Sequence, residues 1–203
     1  MSKGVKYLLI VMLVGFSLTP TFSQSSDYSK FAVSADPIGF LFFGPGINVG
    51  YVLNEKTVVN ANVRFVSFGL LAYSMRATAN NMYDFGGMGY SIGANRFVEN
   101  VESGLYYGAI LSLDIQNTKY DENATFAWHE KTTTYGVLVN GGKRFKIGSR
   151  YYINAGAVVG IGVVNFNWEY DNPAVGIIDP EAREGSSVIP IGGLELAFGV
   201  FLF

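Results

Sequence analysis

The stretch from Ser186 to Phe203, SSVIPIGGLELAFGVFLF, decides the fold. Leu194, Leu196, Phe198, Val200 and Leu202 fall on one face of an extended chain. Gly193, Glu195, Ala197 and Gly199 fall on the other. Apolar residues at every second position mark a strand with one apolar face. The second face is made of small residues around one carboxylate, which is too poor in charge for a face turned to water.

Upstream, the same alternation predicts seven more strands: Lys30 to Phe43, Ile47 to Leu53, Thr57 to Ser67, Phe85 to Val98, Gly104 to Gln116, Thr132 to Ile147 and Tyr151 to Tyr170. In the third, Val59, Ala61, Val63 and Phe65 oppose Asn60, Asn62 and Arg64. In the fifth, Leu105, Tyr107, Ala109, Leu111, Leu113 and Ile115 oppose Gly108, Ser112 and Asp114. In the seventh, Ile153 to Ile161 hold the apolar face, and past Val163 the pattern predicts a change of phase to Phe166, Trp168 and Tyr170. A further change falls at Asp36-Pro37, where proline lacks the ladder donor.

The connections vary in length. Asn54 to Lys56, Glu99 to Ser103 and Gly148 to Arg150 are short, and Gly44 to Gly46 is a tight turn. Phe68 to Asp84, Asn117 to Lys131 and Asp171 to Ser186 are long and polar. All three long ones fall at one end of an up-and-down arrangement. An even number of strands with short turns at one end is the pattern of a membrane barrel. The prediction is therefore an all-β, eight-stranded antiparallel up-and-down transmembrane β-barrel. A soluble lipocalin-type barrel would turn its apolar face inward and need a charged exterior. Here the second face is Gly, Ser and Asn, suited to the packed interior of a narrow barrel. Tyr51, Tyr107, Tyr135, Tyr151, Trp168 and Tyr170 lie near strand ends on the apolar face, where interfacial aromatic girdles sit.

Composition agrees: 49% of residues are hydrophobic and only 15% charged, rich for a soluble domain. Residues 1–23 read as a secretory signal, with Lys3 and Lys6 before an apolar core from Tyr7 to Phe16 and cleavage expected before Gln24. Residues 24–203 form the expected barrel domain. That domain keeps 12 basic and 16 acidic residues, a net charge of −4, which argues against nucleic acid as a partner. With no cysteine, disulfides, a thiolate metal site and a lipoprotein anchor are excluded.

Alternation points Asp36, Asn60, Asn62, Arg64, Ser91, Asn95, Asp114, Asn140, Arg144, Asn154 and Glu195 into the lumen. A charge there needs a partner, and Arg64 is expected to pair with Glu195 or Asp36. Such a network reads first as a plug of salt bridges and amides, and second as a gate or narrow ion path. His129, with Trp128 and Glu130, is expected in a loop. It lacks the neighbouring Ser that a hydrolytic triad needs. The acids Asp171, Asp179, Glu181 and Glu184 have no regular ligand spacing and are interrupted by Arg183, so no metal and no cofactor is expected.

The chain as a whole resembles the small OmpA/OmpX-type outer-membrane barrels, and among them those of Bacteroidetes, in its strand pattern, the Gln after the cleavage point and the C-terminal Phe. That resemblance implies a non-enzymatic monomer in the outer membrane, with both termini periplasmic. It implies lipid around the barrel, the barrel assembly machinery as partner during insertion, and an unknown extracellular partner at the loops. It also implies an assembly signal in Phe198, Phe201 and Phe203, although Phe203 is in phase with Glu195 rather than with Leu194 to Leu202. A narrow pore is the alternative. A lipid-modifying enzyme is a further one, since deacylases and palmitoyltransferases of this fold exist; the deacylase pattern of His and Ser close together on one strand is not met at His129.

Overall fold

The computed structural model describes residues 31–37, 44–66, 83–123, 126–171 and 183–202. Eight strands follow one another: β1 (Phe31–Asp36), β2 (Gly46–Asn54), β3 (Thr57–Phe65), β4 (Tyr83–Phe97), β5 (Gly104–Asn123), β6 (Phe126–Ile147), β7 (Tyr151–Asp171) and β8 (Arg183–Leu202). Each pairs antiparallel with its chain neighbour, and β8 pairs with β1 to close the barrel. Closure leaves the ring without an edge and lets the sheet satisfy its own backbone. The expected signal at residues 1–23, most of the Phe68 to Asp84 connection, the second half of the first predicted strand and Phe203 lie outside the described residues.

The barrel's size follows from its register. Ladder partners followed round from Ala35 lead through Ile47, Val63, Tyr90, Leu113, Tyr135 and Val163 to Val188 on β8. The direct partner of Ala35 on β8 is Phe198. The offset of ten residues is the stagger of the barrel. With about 3.3 Å per residue and about 4.8 Å between strands, it tilts the strands by about 40°, within the range that closed barrels adopt. Each rung of partners therefore climbs by about 3 Å per strand from β1 to β8, toward the end that holds the β1–β2 connection. That is the upper end below; the lower end holds the turns at 55–56, 98–103 and 148–150.

Three sequence expectations are corrected. Asn117 to Lys131 is not a loop: β5 runs to Asn123 and β6 starts at Phe126, with His129 paired to Lys119 and Glu169. The ladder is made by backbone groups, so a polar stretch continues it wherever the outer face meets a polar medium. For the same reason the Asp171 to Ser186 connection is shorter than expected, because β8 starts at Arg183. The phase of β7 does not change. Its register with β6 is unbroken from Tyr151 to Asp171, so Phe166 shares the inner face of Tyr152 and Asn154.

Candidate functional site

Two surfaces carry the chemistry: the outer wall and the lumen. On the outer wall many of the apolar residues named from alternation are exposed, among them Leu194 at 71%, Tyr107 at 58% and Ile92 at 57%, and others such as Leu113 and Ile115 are half-buried. Their limits cut across the ladder. The rung Met88–Ile115–Thr133–Asn165–Ser186 begins apolar on β4 and ends polar on β8. The rung Arg96–Tyr107–Gly141–Ala157–Leu194 begins with a cation and ends inside the apolar zone. As the rungs climb, the upper limit of the zone steps down them, through Met88, Ile115, Tyr135, Val163 and Val188. Its one two-residue step, between Ile115 and Tyr135, takes back about 5 Å of the roughly 12 Å that the rungs climb from β4 to β8, so the limit lies between the ladder and a plane normal to the barrel axis. Near the lower limit, Arg96 and Lys143 come to the same height once the slope of the rungs is included. Lys143 lays its ammonium 5.2 Å from the Phe145 ring centroid. Their long stems let both cations reach toward water.

Inside, the lower end is filled. Val52, Val58, Phe97, Val101 and Tyr106 form one buried cluster, and Ala32, Tyr152 and Phe201 another. The 98–103 turn folds under the barrel. Val101 donates its N–H to Glu55 O at 2.8 Å, and its side chain is buried. Arg144, 3% exposed, joins the two clusters. Its guanidinium lies 4.0 Å from the Tyr152 ring centroid and 4.6 Å from that of Phe97. Nε donates to Asn154 Oδ1 at 2.7 Å and Nη1 to Val101 O at 2.7 Å. Lys146 pairs with Glu102 of the same turn.

Higher in the lumen, Asp36, Arg64 and Asp114 stand on one rung, Asp36–Gly46–Arg64–Gly89–Asp114. Arg64 Nη2 pairs with Asp114 Oδ1 across Gly89. A Cβ at Gly89 would collide with that carboxylate oxygen and lie 3.1 Å from Arg64 Nε. Glu195, one of the two partners expected for Arg64, instead accepts from Asn154 Nδ2 at 3.3 Å, lower in the barrel. A second rung, Phe97–Tyr106–Gly142–Gly156–Glu195, works the same way. Tyr106 lays its ring over two glycines toward Glu195; a Cβ would come within 2.7 Å of its hydroxyl at Gly142 and 3.0 Å at Gly156.

Asn60 accepts from Asn48 Nδ2 at 3.4 Å, and Asn48 also reaches Ser34 Oγ at 3.3 Å. Asn62, Ser91, Asn95 and Asn140 share this inner face. Alternation puts Asn48 and Ser34 on the same face as Asp36 and Asn60, though neither belongs to the expected polar network, and by itself it gives no sign of the aromatic plug of Phe97, Tyr106, Tyr152 and Phe201. The available signal was an aromatic residue in phase with the polar face and opposite a glycine on the next strand, as Tyr152 is to Gly199. Phe201, read as part of an assembly signal, is buried against Tyr152 with ring centroids 4.8 Å apart, whereas Phe198 is exposed on the outer wall. His129 sits on the outer face of β6 above the apolar zone.

These features define a closed eight-stranded barrel with an apolar wall and a lumen filled at one end. No protein-family model matches the chain, and a comparison with curated proteins finds no match. Among solved structures it is similar to a major outer membrane protein from Thermus thermophilus, with a TM-score of 0.49 and 10% identity over 84% of this chain and 97% of that one.

Proposed function

We propose that the chain is an outer-membrane β-barrel, sealed to solutes, that stabilises the membrane and presents an extracellular β-surface to a partner, without enzymatic activity. The observation that carries this reading is the apolar zone whose limits cross the rungs. A soluble barrel gains nothing from an apolar zone turned outward and bounded by polar residues, whereas a hydrocarbon layer favours it. The zone on β5, Leu105 to Ile115, spans about 25 Å along the axis at the barrel's tilt, the height of the apolar band in such barrels. β5 has 20 residues and β6 has 22, about twice what a crossing needs. The excess lies at the upper end, which this reading makes extracellular, with both termini periplasmic and residues 1–23 removed on export. Lipid surrounds the barrel, and the assembly machinery is its partner during insertion.

The filled lower end favours a sealed monomeric barrel over a pore. His129 faces Lys119 and Glu169 in the ladder, and this reading gives it no catalytic role. The test is gel mobility of the folded chain, heated and unheated, with fractionation of cell envelopes and bilayer recording. A heat-dependent shift, outer-membrane location and no discrete conductance are expected. A soluble periplasmic chain without a shift would refute the membrane reading, and stable unitary currents would refute the seal.

A further inference from the structure

Above the apolar zone the outer wall of β4 to β8 carries two successive rings. The first, two residues beyond the last apolar residue of each strand, is Gly86, Asn117, Thr133, Asn165 and Ser186, all small and uncharged. The second, four residues beyond that same limit, is Asp84, Lys119, Lys131, Asn167 and Glu184. Four residues along a strand at this tilt place the second ring about 10 Å above the apolar limit. A headgroup layer occupies roughly 5–8 Å there, so both lysines reach down into it.

Lys119 and Lys131 stand two rungs apart on neighbouring strands, diagonal to each other on the outer face, with His129 directly opposite Lys119. Like charges this close repel. Both lysines are exposed, and among the described residues neither forms an ion pair. Glu130 belongs to the other face and accepts from Thr132 Oγ1 at 2.9 Å. Asp84 faces Lys119 from β4. A groove of about 490 Å³ is lined by Lys119, His129, Lys131 and Asp84 together with Gly86 and Asn117 of the first ring. A second groove, of about 510 Å³, lies on the other side of Lys131, over Thr133, Asn165 and Ser186.

We infer that Lys119 and Lys131, with His129, form a binding site for the phosphorylated headgroup of a lipid in the surrounding outer leaflet. The inference rests on the outer-membrane reading above. The lysines take the phosphate, and the amide and hydroxyl side chains of the first ring, with Asp84, take the hydroxyls of a sugar headgroup. The apolar wall beneath, Ile115 and Tyr135, receives the acyl chains. A free anion would gain the same charges but not that wall.

The test uses the full chain folded in phosphatidylcholine vesicles, with and without diphosphorylated lipid A. Native mass spectrometry of barrels released in mild detergent reads the lipid retained. The wild type is expected to retain the diphosphorylated lipid over its dephosphorylated form. Lys119→Gln with Lys131→Gln is expected to weaken retention about thirtyfold, about fivefold per lysine near an anionic surface. Lys119→Arg with Lys131→Arg is expected to keep it. A double Gln variant that retains the lipid as the wild type does, while still showing the heat-dependent shift, overturns the site. Lysine-dependent binding of inorganic phosphate as tight as that of the lipid overturns the lipid assignment. A wild type without the mobility shift fails the membrane reading itself, a separate result.

Discussion

Removing Arg144 tests whether this buried cation holds the filled lower end together. In Arg144→Met the apolar stem remains, but Asn154 Oδ1 and Val101 O both lose donors now at 2.7 Å. A buried acceptor left without its partner costs about 1–3 kcal/mol. Loss of the ring contacts with Tyr152 and Phe97 adds about 0.5–2 kcal/mol each. Against these stands the desolvation of a guanidinium only 3% exposed, several kcal/mol in a protein interior. The acceptors and rings outweigh it here, because the cation is surrounded on all sides, and a net loss of about 3 kcal/mol is expected. Urea titration of the barrel folded in vesicles, followed by tryptophan fluorescence, measures it. Arg144→Lys should fall between the two, since an ammonium keeps the charge but not the planar fork. A Met variant as stable as the wild type would refute the reasoning and show that burying the guanidinium costs all that its partners return.

Three further outcomes follow from the same geometry. Gly89→Ala should displace Asp114 from Arg64 and destabilise by about 1–3 kcal/mol; combined with Asp114→Ala it should cost much less than the sum, and additive costs in that urea cycle would refute the bridging role of the empty position. Leu194→Arg, inside the apolar zone of β8, should cost about 2–4 kcal/mol in vesicles, whereas Ser186→Arg on the same face above the zone should cost about 0–1 kcal/mol; equal costs would remove the upper limit of the zone on β8. Phe201→Ala should lower unfolding free energy by about 3–5 kcal/mol through the cavity it opens against Tyr152, and an unchanged urea midpoint would show that the aromatic plug adds nothing to stability.

The sequence made the eight strands and the end that holds the short turns legible, because one face alternates with period two on every strand. It also made the inner face legible along most strands, since facing depends only on parity, but not above Val163 on β7, where Phe166 stays in phase with Tyr152. Parity is silent on partners across the lumen. Arg64 meets Asp114 rather than Glu195 because Gly89 empties the position between them, and which glycine lies between two side chains is a matter of register around the whole ring. The polar segment around Trp128, His129 and Glu130 reads as a loop only while alternation of polarity is the sole sign of a strand. Above the apolar zone both faces of a strand can be polar, and the ladder continues without that sign.

The unbroken register of β7 has a consequence for how substitutions act along it. Below Val163 its outer residues are greasy and its inner ones small or polar; above it, Asn165 and Asn167 face out while Phe166 turns in under Gly185. On the outer-membrane reading a single ladder is thus immersed in two solvents, and the rule for a tolerated change reverses sign between two adjacent outer positions. Exchanging Val163 for Asn and Asn165 for Val would leave composition and strand propensity almost untouched, yet put each side chain in the medium that rejects it.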